Sequence, residues 1–375
     1  MSEQDRCASP LVVVKIGSST LQTREGTLDV DYILELCSQV GELRALGHSV
    51  IIVTSGAVAA GRERLGIRQR PDDIETLQAC AACGQAALTE TYATALAELG
   101  ITCAQVLLTR RDVVEREGYL NARNTLTRLL ELGVVPVVNE NDTVSVAEFA
   151  FGDNDMLGAI VSALTKAGLY VILSDVEGLY TADPTKDESA TLIEHVEAVD
   201  SNVTQMATGS TSSVGTGGMA SKIRAARAML AAGIPMVVCH GRREHVLLDV
   251  VEGREVGTRF ENTTSLPTGH GRKLWIGLAE MPQGTVTVDA GAAKAMREAG
   301  ASLLPVGVKD VTGTFDQGDV ICILDDKGTE VARGVTRYSV EDLVLAAGFK
   351  LDVVGHFMPE YAGCPVVHRD EMLVF

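Results

Sequence analysis

Over the first 250 residues, short apolar runs rich in Val and Ile alternate with longer segments of helical period. "LVVVKIGSS", "SVIIVTSG", "CAQVLLT", "VVPVVNEND", "YVILSD" and "IPMVVCHG" read as strands. Between them, "DYILELCSQVGELRALG", "AVAAGRERLG", residues 75–99, "YLNARNTLTRLLELG" and "MASKIRAARAMLAAG" read as helices, several closed by Gly. Parallel strands need helical crossovers, and apolar runs need cover on both faces. The alternation therefore predicts an α/β fold: an open, largely parallel sheet sandwiched by helices. Pro136 argues against a central place for its strand, because proline donates nothing to a ladder.

The pattern breaks near residue 262. "ENTTSLPTGHGRK" is polar and rich in turn formers, and short strands follow: "GTVTVD", "LLPVGVKDVTG", "DVICILDDKG" and "EVARGVTRYS", with "AGAAKAMREAG" as a helix. The expected organisation is an α/β domain over 1–262, a linker over 263–275, a small mostly-β module over 276–360 and a C-terminal tail over 361–375. A chain of 375 residues, 46% hydrophobic, has room for two cores.

The net charge of −18 points away from a nucleic-acid partner, because phosphate backbones are bound by Lys and Arg. The start, "MSEQDRCASP", lacks a basic end followed by an apolar run, and no run reaches the length of a membrane span. Scattered Cys in a chain of this length suit a reducing compartment, so a cytoplasmic location without a membrane partner is expected. Cys80 and Cys83 form a lone CxxC in an Ala-rich helix, with no second pair at zinc spacing; they read as packing residues.

Ligands of open α/β sheets bind at the carboxyl ends of the strands. The first strand brings Lys15, Gly17 and Ser18 there, and the second brings Thr54, Ser55 and Gly56. "VVNEND" brings Asn139 to Asp142, and "YVILSD" brings Ser174 and Asp175. "SSVGTGGMASK" leads from a Gly-rich loop into a helix carrying Lys222, an arrangement able to wrap phosphate oxygens. It is neither a Walker loop nor a dinucleotide fingerprint. In "FGDNDMLGA", Asp153, Asn154 and Asp155 precede an apolar run. They could cap a helix or serve a site, but an EF-hand would need oxygen ligands where Leu157 and Leu164 stand. Two lysines, Gly turns and acids at strand ends point to phosphoryl transfer, without naming the acceptor.

"VVVKIGSSTL", "IIVTSGAVAAGRERLG", "LLTRRDV", "YLNARNTL", "VPVVNENDTV", "FGDNDML", "SDVEGLYTADP" and "GTGGMASKIRAARAMLAAGI" occur in this order. Together they resemble the amino-acid kinase family, and within it the kinases that phosphorylate glutamate. The stretch from "WIGLAEMPQG" to "GVTRYS" resembles a PUA domain. The resemblance implies ATP-dependent phosphorylation of the γ-carboxylate of L-glutamate to L-glutamyl 5-phosphate, the first step of proline synthesis, with Mg²⁺ as cofactor. It implies that Lys15 and Lys222 stabilise the transferring phosphoryl group and that Asp155 orients them. Ser55, Asp142 and Asn154, with Gly56 and Asn141 nearby, match the glutamate contacts. Lys15, Gly17, Ser174, Asp175, Thr216, Gly217, Gly218, Met219, Ala220, Ser221 and Lys222 match the nucleotide site. No protein metal ligand is implied. Feedback by L-proline at the glutamate site and a homo-oligomer, dimer or tetramer, are further implications.

Two alternatives stand beside this. One is a kinase of the same family with another acceptor, such as acetylglutamate or aspartate. The other is an RNA-binding protein acting through the PUA module. Residues 276–355 carry seven Lys/Arg against twelve Asp/Glu, an acidic balance that suits a structural or regulatory role better than RNA binding.

Overall fold

The computed structural model describes residues 11–109, 112–113, 116–145, 154–208, 218–262 and 282–374. The chain divides into two compact units, residues 1–266 and 267–375, each with its own buried apolar cluster. The expected linker over 263–275 lies outside the described residues.

In the first unit, eight strands form one sheet among the described residues: β1 (Val12–Ile16), β2 (Val50–Val53), β3 (Cys103–Leu108), β4 (Val135–Glu140), β5 (Leu169–Ser174), β6 (His195–Val196), β7 (Met236–His240) and β8 (Thr258–Phe260). Their order is β3-β4-β2-β1-β5-β7-β8-β6. Every ladder is parallel except β7 with β8. Among the described residues, the helices of this unit are α1 (Val30–Ala45), α2 (Ala57–Leu65), α3 (Ile74–Glu98), α4 (Arg116–Glu131), α5 (Asn154–Thr165), α6 (Ser201–Thr208), α7 (Met219–Ala232) and α8 (Val246–Val251).

The side-chain period of two sorts the central strand between two helical layers. Val12, Val14 and Ile16 of β1 join the cluster that also holds Ile33 and Leu36 of α1, Leu88 and Tyr92 of α3 and Leu247 of α8. Val13 and Lys15 therefore face the other side, where α5 packs on β1, β4 and β5. A lysine on an inward face needs a buried counter-charge.

Helices α2 and α3 pack backbone to backbone. A Cβ on Gly61 would stand 1.7 Å from the Cys80 carbonyl oxygen, and one on Gly84 would stand 1.9 Å from that of Ala57. The Cys80–Cys83 pair sits on α3, Cys80 buried and Cys83 exposed, both thiols free. No group of three His, Cys, Asp or Glu side chains among the described residues is placed to hold a metal.

Pro136 is corrected by the topology: β4 lies between β3 and β2, with ladders on both sides. The proline is tolerated because the β2 ladder begins only at Val137, paired with Ile52, while Val135 donates to Thr102 toward β3.

Among the described residues the second unit holds a five-stranded sheet of β9 (Gly284–Val288), β10 (Val308–Gly313), β11 (Val320–Leu324), β12 (Glu330–Thr336) and β13 (Val367–Val374), ordered β10-β9-β11-β12-β13. Helix α9 (Ala290–Ala299) follows β9 and begins at Asp289, whose carboxylate accepts from the Ala292 amide. Helices α10 (Val340–Ala346) and α11 (Leu351–Phe357) follow β12. The stretch 361–375 is not a tail: β13 pairs antiparallel with β12, and Val366, Val367, Met372 and Leu373 are buried. Its alternating apolar residues lie among charged ones, "VVHRDEMLV", which masked the strand in sequence. No helix among the described residues is long and apolar enough to cross a membrane.

Candidate active site

The lysine on the inward face of β1 finds its counter-charge at the start of α5. Lys15 Nζ lies 2.5 Å from Asp155 Oδ1, and Lys222 Nζ lies 3.4 Å from Asp155 Oδ2. The Ser221 hydroxyl donates to the same Oδ2 at 2.6 Å. Asp155 is 0% exposed, and the two lysines are 4% and 5% exposed. Burial alone would raise the carboxyl of Asp155. The charges of Lys15 and Lys222, with hydrogen bonds from Lys15 and Ser221, outweigh it and hold the group down at about 2. The cluster thus carries one buried negative and two positive charges, a net positive centre.

Three elements converge to build it. Lys15 is the penultimate residue of the central strand, Asp155 stands in the first turn of α5, and Ser221 and Lys222 stand in the first turn of α7. The Tyr170 hydroxyl on β5 donates to the Asp155 carbonyl at 2.7 Å and fixes the first turn of α5 on the sheet. Gly158 admits that ring; a Cβ there would stand 2.3 Å from the Tyr170 hydroxyl oxygen.

Beside Lys222 is a cleft of about 90 Å³. Ser174 and Asp175 line it from the end of β5; Val176, Gly178, Leu179 and Tyr180 from the loop beyond; and Gly218, Met219 and Lys222 from the start of α7. Gly218 caps α7 with no side-chain bond, and Gly218 and Met219 at this helix start line the cleft. Such a helix start favours an anion. Gly17 brings the turn after β1 close to β5: its N–H donates to the Leu173 carbonyl at 2.9 Å, and a Cβ would lie 3.3 Å from that oxygen.

A second polar group lies at the ends of β2 and β4. Asn154 Nδ2 lies 2.5 Å from the Thr54 carbonyl, 3.0 Å from Ser55 Oγ and 2.9 Å from Asn139 Oδ1. Gly56, at φ +99°, turns the chain from β2 into α2, a conformation that suits glycine. The Asn141 amide donates to the Leu108 carbonyl at 3.0 Å, extending β4 by one rung. Burial, with Glu140 adding its charge, raises the Asp142 carboxyl to about 6 against the opposing effect of Arg70.

The residues expected at the site therefore fall into two neighbouring sets joined through consecutive residues Asn154 and Asp155. Asp153, Thr216 and Gly217 lie outside the described residues, and Ala220 is exposed and does not line the cleft. Sequence reasoning did not single out Tyr170, Gln85, Leu179, Tyr180 or Met206. Leu179 and Tyr180 follow a strand end within a quoted motif, which was the available signal. Met206 on α6, which also lines the cleft, and Gln85 on α3, which accepts from Asn139, had none.

A family model described as "Amino acid kinase family" matches residues 10–240, and one described as "PUA domain" matches residues 284–357. The chain belongs to the amino acid kinase family. It is 46% identical over 364 residues to a glutamate 5-kinase of Variovorax paradoxus, covering 97% of this chain and 95% of that one. It is 44% identical over 366 residues to a glutamate 5-kinase of Trichlorobacter lovleyi, covering 97% and 96%. Among solved structures, a carbamate kinase from Giardia lamblia bound to AMP-PNP aligns with a TM-score of 0.50 at 16% identity, covering 68% of this chain and 99% of that one; the likeness is one of fold. The chain is thus a phosphotransferase of the amino acid kinase fold followed by a PUA domain.

Proposed function

We infer that the chain transfers the γ-phosphoryl group of ATP to the side-chain carboxylate of L-glutamate, giving L-glutamyl 5-phosphate, the first step of L-proline biosynthesis. The observation that carries this is the Lys15–Asp155–Lys222 cluster, a net positive charge buried beside an anion-binding helix start. The names of the full-length relatives support glutamate as the acceptor.

The acceptor carboxylate is ionised at neutral pH, so no general base is needed. The obstacle is the approach of one anion to another, and positioning with charge neutralisation lowers it. Lys15 and Lys222, held on the two oxygens of one carboxylate, present their charges from fixed positions and need no reorganisation as charge shifts onto the leaving phosphate. Asp155 orients both. Gly17, Ser174, Asp175, Thr216, Gly217 and the run from Gly218 through Lys222 at the start of α7 hold the nucleotide, with Lys15. Ser55, Gly56, Asn141, Asp142 and Asn154 hold glutamate, with Asp142 toward its ammonium group.

Mg²⁺ accompanies ATP and supplies further charge neutralisation. The oxygens of Asp155 are committed to two lysines and Ser221, which suits an ion carried on phosphate oxygens and water. The domain assignment proposed is catalysis by residues 1–262 and a structural or regulatory role for the PUA unit. A cytoplasmic homo-oligomer, dimer or tetramer, under L-proline feedback completes the proposal.

The test is an acyl-phosphate trap: protein, ATP, Mg²⁺ and L-glutamate with hydroxylamine, against aspartate and N-acetylglutamate. Hydroxamate from glutamate alone supports the reading. Product only from another acid keeps the kinase and replaces its acceptor, and no product from folded protein shifts the weight to the PUA unit.

A further inference from the structure

The amide of Asn154 ends a hydrogen-bond chain whose direction is set on α3. The Thr89 hydroxyl donates to the Gln85 carbonyl of the preceding turn at 2.9 Å. Its one proton is thereby used, so its oxygen is left to accept, and Gln85 Nε2 donates to it at 3.2 Å. That turns Gln85 Oε1 toward β4, where it accepts from Asn139 Nδ2 at 2.8 Å. Asn139 Oδ1 is then the atom that accepts from Asn154 Nδ2 at 2.9 Å. Each amide in the chain has one orientation that satisfies its neighbours. From the far end the Thr54 carbonyl, an acceptor only, demands the same orientation of Asn154.

Gln85 and Asn139 are 8% and 2% exposed, so a reversed amide would leave buried polar groups facing like groups. With Nδ2 committed, Asn154 Oδ1 has no partner among the described residues and stands as a fixed acceptor. Of the groups on an amino-acid substrate, only the ammonium donates; both carboxylates accept.

We propose that Gln85 is a positioning residue for the substrate site: through Asn139 it locks the Asn154 amide so that Oδ1 receives the α-ammonium group of the amino-acid acceptor. This deepens the glutamate-kinase reading and rests on it. Gln85 is buried and bonded to Asn139, so it acts through that residue, and it does not line the nucleotide cleft.

The experiment compares steady-state kinetics of the full chain with those of Gln85→Leu and Gln85→Glu. Leu removes the acceptor for Asn139 and frees that amide to turn its donor toward Asn154. The KM for L-glutamate is expected to rise about tenfold, while kcat and the KM for ATP stay within about twofold. Glu keeps an acceptor for Asn139, and the Thr89 hydroxyl can turn from the backbone carbonyl of residue 85 to donate to its second oxygen, so its KM for L-glutamate is expected near the parent value. A Leu variant with unchanged KM, or one that loses kcat at unchanged KM, overturns the proposal. If the Leu variant does not fold, a Glu variant with a raised KM overturns it and one with the parent KM supports it. A parent chain inert toward L-glutamate overturns the glutamate reading and this inference with it; an active parent with KM indifferent to Gln85→Leu overturns this inference alone.

Discussion

A carboxylate removed from water and set between two ammonium groups stays ionised only while its partners remain. Asp155→Ala leaves Lys15 and Lys222 buried without their shared counter-charge. We expect a loss of about 3–5 kcal/mol in urea denaturation, along with loss of phosphoryl transfer. The sign with pH follows from the lowered carboxyl: its contribution is present above the unfolded value of 3.8 and is lost as pH falls toward about 2. The parent should thus lose stability over that interval by more than the variant does. Lys222→Ala leaves Asp155 with Lys15 and Ser221, so the fold should persist while kcat falls about 10²- to 10³-fold; near-normal turnover would remove Lys222 from the chemistry. Asp142 has the opposite balance. Its carboxyl is raised to about 6, so ionising it costs the fold stability above that pH, and the cost fades as pH falls toward 3.8. Asp142→Asn should therefore melt higher than the parent at pH 8 and no higher at pH 4, while its KM for glutamate rises at neutral pH. In the parent, that KM should rise as pH drops through about 6, because a protonated Asp142 no longer attracts an ammonium group.

At the scale of elements, the site depends on how closely α2 and α3 approach, since α2 begins at Gly56 and α3 carries Gln85 and Thr89. The contact of Gly61 with the Cys80 carbonyl leaves no room for a methyl group. Gly61→Ala should cost about 3 kcal/mol or more in thermal or urea unfolding, because backbone cannot yield as a flexible side chain does. A loss below about 1 kcal/mol would mean that the two helices separate easily. The starts of α5 and α7 show the complementary use of a helix. Both place site residues in the first turn, and Ser221 and Lys222 of one reach Asp155 of the other. Most of this was legible in sequence as strand–turn–helix punctuation: Gly17, Gly56 and the Gly-rich approach to α7 mark turns whatever the fold. The short strands β6 and β8 were not legible, since two or three residues carry no period, and the eight residues of α6 make barely two turns, too few to show one.

On the scale of the whole molecule, each unit has a separate apolar cluster and a separate sheet. A chain ending at residue 262 is accordingly expected to fold, with turnover on L-glutamate within about threefold of the parent and a cooperative melt of its own. Failure to fold would show that the first unit draws stability from the second. The acidic balance of the PUA unit predicts no RNA affinity that falls steeply with salt, which a titration at two ionic strengths checks.

The order of apolar runs and helical segments determined, without any structure, a parallel sheet between helical layers, because burial on both faces of a strand admits few other solutions. The turn residues likewise determined which polar groups would collect at the strand ends. Only the tertiary structure decided which of these touch. Lys15, Asp155 and Lys222 are separated by scores of residues, and their meeting depends on strand order, on the inward face of β1 and on the packing of α5 and α7. The amide chain from Gln85 to Asn154 was invisible for the same reason. A glutamine on a helix becomes an orienting group only when packing brings one acceptor to one donor with water excluded, and no local pattern of residues records that distance.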